Sequence, residues 1–411
     1  MSEQVDVVVV GAGLAGLHAA LTVHAAGRQV LVLDAADAVG GRVRTDEVDG
    51  LLLDRGFQIL NPSYPELQSL GILDELDLRR FDAGVMVALE QGIARLGDPL
   101  RKPQWLLSTI GAHVGDPKAK ARLAIAIAKT WLSGTLGQPS PRAGSVADAL
   151  QADGVDTVTY ERVLRPFLTG VFLDDPANVA AGYGEFVLRS FVQGTPALPS
   201  RGMGALPRAL EMRLPQGSVR LQTRVHSVRS GGVDSDQGRI DARQVIVAVD
   251  PQQAREWFPQ MQVPATRACT TWYHATSTSP TTEKAILVDG LSRGPVINSV
   301  AISKVAPSYA SRGRTLMSST TLGTDASADR AAQVKQQLER MWGTSTNEWE
   351  LVRAQVVEHA LPALGVTDPL FRPIDAGDGV WLAGDHRDTP SQQGALVSGR
   401  RAAQAALRAL R

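Results

Sequence analysis

A single cysteine, Cys269, stands in a chain of 411 residues. A lone thiol forms no internal disulfide, and without a cysteine cluster no zinc or iron–sulfur centre is expected. No apolar run is long enough to span a bilayer. The N-terminus lacks a basic stretch followed by an apolar signal core, and Val5 already opens a structural strand, so a cytoplasmic location is expected. Charge of neither sign is in excess, with 42 basic against 42 acidic residues, which argues against nucleic acid or strongly acidic partners. The histidines are scattered without metal-ligand spacing, so no metal site is expected. There is no internal repeat and no low-complexity tract.

What is present is enough chain for two domains and, at 44% apolar residues, enough for a full core. Val5 to Val10 is almost wholly apolar, the pattern of a strand buried on both faces of a parallel sheet. Leu14, Leu17 and Leu21 follow at helical spacing, Gly27 closes that helix, and Val30 to Leu33 reads as a second buried strand. From about residue 65 to 195 the pattern reads as helical and irregular, broken by prolines. Strands are expected at Val219–Val228, Val245–Val249 and within Thr270–Thr321. An amphipathic helix is expected around Val334, Leu338 and Met341. The chain closes with a strand at Val380–Ala383, a Gly-Asp turn and a helix from about Gly394.

Between the first strand and helix lies Gly11-Ala12-Gly13-Leu14-Ala15-Gly16. In that context a GxGxxG turn is a dinucleotide fingerprint. Gly11 permits the tight turn, Gly13 the close approach of backbone to a diphosphate, and Gly16 the packing of helix on strand. The helix N-terminus, at Leu14 and Ala15, offers free N–H groups and partial positive charge to the phosphates. Asp34, at the end of the second strand, is placed to accept from an adenosine ribose, and its charge disfavours a 2′-phosphate. Further on, Gly40-Gly41-Arg42 sets a guanidinium beside the same phosphates, which suits a cofactor that stays bound through turnover.

With these residues the chain resembles the flavin amine oxidase and phytoene desaturase superfamily, in which the arginine at the position of Arg42 contacts the FAD diphosphate. The resemblance extends to Gly56-Phe57-Gln58, a segment that in the family passes close to the isoalloxazine ring. It includes Val225, on the strand that returns to the adenine. It ends on Gly384-Asp385 and the turn Gln392-Gln393-Gly394-Ala395, where the family offers an acidic residue and backbone N–H groups to FAD. It implies an α/β fold. A Rossmann-type FAD-binding domain is assembled from residues 1–65, 196–258 and 372–411, with an inserted α+β substrate domain at 66–195 and 259–371. The cofactor implied is FAD, held non-covalently.

The chemistry implied is dehydrogenation or desaturation of an organic, small-molecule substrate of apolar, isoprenoid- or carotenoid-like character, by hydride transfer to the flavin. An amine oxidase making imine and hydrogen peroxide, and a non-redox flavoprotein (an isomerase or a lipid-binding protein), remain alternatives. No catalytic side chain is singled out. Lys284 and Lys304 lie in the region where amine oxidases keep a lysine, but read as surface residues, and His386 reads as structural. The stretch Arg101–Trp131 is rich in Lys and Arg and flanked by Trp105 and Trp131. It raises the expectation of peripheral contact with the inner face of a membrane, against the alternative of a helix packed in the substrate domain.

Overall fold

The computed structural model describes residues 3–98, 100–115, 139–311 and 313–411. Its first strand, Glu3–Val10, pairs in parallel with Val30–Leu33 on one side and Gly238–Val247 on the other. Val7, Val8 and Val9 are wholly buried there, as a run apolar on both faces requires. The sheet so nucleated has eight strands. Its main path runs Val225–Arg229, Gly232–Ser235, Gly238–Val247, Glu3–Val10, Val30–Leu33 and Val219–Arg220, with Val380–Leu382 and Asp375–Gly377 added beside Gly238–Val247. One face carries the helix Leu14–Ala25 and the terminal helix Gln392–Ala409. These two approach so closely that a Cβ on Gly399 would stand 2.1 Å from the Ala15 carbonyl oxygen.

A second sheet has seven strands, ordered Glu350–Pro362, Thr266–Thr276, Thr315–Leu322, Val296–Ala301, Leu287–Asp289, Gly84–Leu89 and Gly92–Gly97. It is antiparallel except where Leu287–Asp289 meets Gly84–Leu89. The helix Ala328–Trp342 covers one face, seating Val334, Leu338 and Met341 on Trp272, Met317 and Leu287. Helices drawn from residues 146–193 form a further apolar cluster around Phe172, Tyr183 and Phe186.

Two sequence expectations are corrected. The region 65–195 is not helical throughout, because Gly84–Leu89 and Gly92–Gly97 form a hairpin, with Gly92 at φ 113°. The strand expected over Val219–Val228 is two short strands. Between them Gln222 takes φ 50°, and its N–H and that of Thr223 donate to the Ala36 and Asp34 carbonyls. The chain is thereby drawn across the end of Val30–Leu33, where Thr223 and Arg224 reach the cavity described below.

His274, on Thr266–Thr276, is buried against Trp349, with its Nδ1 unpartnered. Burial, with a smaller push from Lys335, lowers its pKa from 6.5 to about 4. The unfolded chain binds this proton more readily, so the contribution to stability is complete above about 6.5 and is lost as pH falls toward 4. His274→Leu should flatten this dependence. Thermal melts near neutrality and in mild acid are expected to differ less in the variant than in the parent. An unchanged difference would refute the assignment.

Candidate functional site

A cavity of about 640 Å³ begins at the ends of the parallel strands and continues to the seven-stranded sheet. At its first end the chain turns at Gly11, with φ 106°. A side chain there would press on the Ala248 carbonyl, its Cβ 2.6 Å from the oxygen. Gly13 differs. Its backbone is extended at φ −73°, and a Cβ on it would meet no protein atom within 4 Å. That open space lies over the start of Leu14–Ala25, which has no side-chain cap, so its first N–H groups remain available. Gly16 does not line the cavity. It packs the helix on the strand, since a Cβ there would stand 1.9 Å from the Gly11 oxygen.

Asp34 sits at the cavity rim and accepts from the N–H groups of Ala12, at 2.6 Å, and Ala36, at 2.8 Å. Gly40 and Gly41 take φ 117° and 58°, and a Cβ on Gly40 would lie 2.3 Å from the Val43 oxygen. The turn delivers Arg42, whose guanidinium donates to the Ala360 carbonyl at 3.0 Å and to Asp385 Oδ1 at 2.6 Å. Asp385 is almost fully buried, whereas the Arg42 side chain keeps about a third of its surface open, 37%. Gly384, at φ 142°, makes room for the His386 ring, whose pKa burial and then Arg387 push well below the usual value. His386 is therefore neutral, and it too lines the cavity, as expected of the one histidine placed near the flavin.

Gly56, Phe57, Gln58, Val225, Gly384, Gln392 and Ala395 also line the cavity, together with Leu14 and Ala15. The Gln58 amide donates to the Arg42 carbonyl at 2.8 Å, and the Phe57 N–H to Thr271 Oγ1 at 3.1 Å, fixing that segment. Ala395 reaches the wall, but its N–H is spent on the Ser391 carbonyl. Gln393 departs from expectation: it is off the wall, and its Oε1 accepts from the Glu66 N–H. One residue along a helix is a turn of about 100°, which sends Gln392 to the cavity and Gln393 into the packing against Pro65–Leu70.

Sequence reasoning missed the far end. Tyr64, Phe167, Val171, Tyr183, Val187 and Phe191 wall it with aromatic and aliphatic groups, and Ile286, Val288, Asn298 and Thr320 close it from the sheet. Cys269 lies there too, its thiol pushed up to about 11 by burial and so protonated. Lys284 is exposed and Lys304 half-buried, and neither lines the cavity. Most of the basic stretch, residues 116–131, lies outside the described residues. Within Arg101–Gly115 one correction stands: Trp105 is not interfacial but buried, with the Lys102 ammonium 5.2 Å from its ring centroid. Lys102 in turn pairs with Asp82 at 2.8 Å and Glu283 at 3.4 Å. Among the described residues no cluster of metal-ligating side chains occurs.

The first end fits FAD on three counts. A bare cradle at Gly13 faces uncapped helical N–H groups, the partly exposed Arg42 side chain stands on the same cavity wall, and the buried Gln392 Oε1 on the wall has no hydrogen-bond partner. The donors suit a diphosphate and the orphaned amide suits a polar ring edge.

Comparison with known proteins agrees with this fit. The family model described as flavin-containing amine oxidoreductase matches residues 14–407. Hydroxysqualene dehydroxylase of Rhodopseudomonas palustris is 26% identical over 441 aligned positions, covering 98% of each chain. Putrescine oxidase of Kocuria rosea is 54% identical over 76 residues, 18% of this chain and only 16% of that enzyme. In fold, the chain superposes on an oxidoreductase from Methanosarcina mazei with TM-score 0.75 at 16% identity, covering 96% of this chain and 99% of the other.

Proposed function

The chain belongs to the flavin-containing amine oxidoreductase family and takes FAD as its cofactor, and from that premise we propose that it dehydrogenates or desaturates a chiefly apolar, isoprenoid- or carotenoid-like substrate. The flavin, when bound, accepts a hydride equivalent from the substrate. Gly11, Gly13 and the N–H groups at Leu14 and Ala15 hold its diphosphate, with Arg42 neutralising charge. Asp34 accepts from the ribose, Val225 lies along the adenine, and Gly56 to Gln58, Asp385 and Gln392 bound the remainder.

One observation carries the choice of substrate. From residues 66–195 and 259–371, no described side chain on the cavity wall bears a charge at neutral pH. Burial holds Tyr183 well above its usual pKa and the Cys269 thiol at about 11. An ammonium substrate would be stripped of water there with no carboxylate to meet it, which is costly. An aliphatic chain gains from the same wall, at about 25 cal/mol for each Å² removed from water. An apolar wall of this kind disfavours water beside the reacting bond. Hydroxysqualene dehydroxylase, similar over nearly the whole chain, is named for an isoprenoid. We extend the proposal to a cytoplasmic protein in peripheral contact with a membrane, for which the exposed Leu106, Leu107 and Ile110 offer an apolar surface.

The test is anaerobic bleaching of the visible flavin band by a panel of isoprenoid hydrocarbons and alcohols set against mono- and diamines. Bleaching by the isoprenoids is expected. Bleaching by amines alone, with peroxide formed on readmitting air, would instead establish an amine oxidase.

A further inference from the structure

Two polar side chains sit in the apolar end of the cavity without apparent use. Asn298 and Thr320 are cross-strand partners on Val296–Ala301 and Thr315–Leu322, so they stand side by side on the sheet. Both line the cavity, and they are only 6% and 3% exposed. Asn298 Oδ1 and Thr320 Oγ1 are buried with no hydrogen-bond partner. Across from them, Gly170 presents bare backbone to the amide: a Cβ there would stand 2.6 Å from Asn298 Nδ2. Any larger residue at 170 would crowd the amide.

A buried polar group left unmet destabilises the fold, and native interiors hold few of them. Here two occur side by side, in a wall otherwise built chiefly of aromatic and aliphatic groups. Neighbouring hydroxyls show that the sheet can satisfy such groups internally. Ser299 and Ser319, one residue away on the same two strands, bond to each other at 2.9 Å.

Resting on the apolar-substrate reading above, we propose that Asn298 and Thr320 form a recognition pair for one neutral hydroxyl carried by the substrate. The amide offers both a donor and an acceptor, and the threonine hydroxyl offers either, which matches an alcohol group that gives one hydrogen bond and accepts others. Neither residue carries charge, so an ammonium or a carboxylate gains no counter-charge from them. A site with waiting hydrogen-bond partners discriminates against a ligand lacking the matching group, because that ligand leaves the partners dry and unpaired. The pair thus sets specificity and orientation, and is not assigned a step in the oxidation.

The experiment uses the FAD-loaded protein and follows perturbation of the flavin band on titration with geraniol, with the hydrocarbon myrcene, and with geranylamine. Geraniol is expected to bind about fivefold to tenfold more tightly than myrcene, the worth of one net hydrogen bond. In the Asn298→Leu/Thr320→Val variant that preference should shrink to about twofold or less, with myrcene binding kept, while Thr320→Ser should preserve it. The double variant should melt no lower than the parent, since unmet polar groups have been replaced by apolar ones of similar volume. Equal binding of geraniol and myrcene by the parent, a reading that needs no variant, overturns the assignment and leaves the apolar-substrate proposal standing. A preference that survives the double substitution overturns it as well. Binding of geranylamine alone, or of none of the three, overturns both.

Discussion

Replacing Gly13 by aspartate is expected to give a protein that folds, melts no lower than its apo parent, and purifies without flavin colour. The backbone at Gly13 is extended, φ −73° and ψ 179°, a conformation open to any residue, and an added Cβ meets nothing within 4 Å. The position is the N-cap of Leu14–Ala25, where a carboxylate is among the preferred groups and gains a few tenths of a kcal/mol over glycine. The fold therefore has no reason to object. The cofactor does. Were the diphosphate to lie about 4 Å from that fixed negative charge, the repulsion would cost about 4 kcal/mol at an effective dielectric constant of about 20, or about a thousandfold in affinity. Gly13→Ala should lose less, having bulk without charge. Gly11→Ala and Gly16→Ala serve as contrasts. Their Cβ atoms would lie 2.6 Å from the Ala248 oxygen and 1.9 Å from the Gly11 oxygen, so both should fail at the level of folding. Flavin content after purification, and calorimetric titration of apoprotein with FAD, separate the two classes. A Gly13→Asp protein that stays yellow would overturn the placement of the diphosphate.

That contrast marks how far a sequence can be read here. The first strand, glycine turn and helix are legible because every feature is local: a run apolar on both faces, glycines at fixed offsets, a helix beginning at the turn. The same holds for Gly40 to Arg42 and for the closing Gly384-Asp385 turn, whose conformations only glycine adopts easily. The far end of the cavity is not legible, because its wall is non-local. Phe167 and Phe191 come from different helices, and Asn298 and Thr320 from different strands. None belongs to a motif; only the sheet register makes the last two neighbours. Glu350–Pro362 escaped notice for another reason. Its residues are mostly half-buried, without regular alternation between buried and exposed positions, so the period-two signal of a strand is absent. Gln392 and Gln393 show the finest grain of the problem. Adjacent in a motif, they are parted by the helix, one to the cavity and one to the core.

Arg42 and Asp385 should separate stability from cofactor binding in a double-mutant cycle. The pair meets at 2.6 Å across 343 positions of chain, tying the turn after the second strand to the turn before the last helix. Removing one member of a buried pair leaves the other charged and dry, commonly at about 3–5 kcal/mol. Arg42 keeps 37% of its side-chain surface open, and water reaching the ion pair there lowers the cost toward about 2–3 kcal/mol for Arg42→Gln. Changing Asp385→Asn in the same protein removes the stranded charge, and the double variant should regain most of that loss. Denaturation of the apoproteins is the proper comparison, since bound FAD would itself stabilise the parent by mass action. Affinity should follow a different rule. Both proteins lack the guanidinium proposed to neutralise the diphosphate, a charge-assisted contact of about 1.5–3 kcal/mol, so both should bind FAD at least about tenfold more weakly than the parent, the double variant lacking the Asp385 carboxylate as well. A double variant that recovers stability and affinity together would show that the stranded Asp385 charge, and not a lost phosphate contact, weakens binding in Arg42→Gln. One that recovers stability alone, and binds FAD more weakly than Asp385→Asn by itself, supports a phosphate contact by the guanidinium N–H groups that Asp385 and Ala360 do not take up.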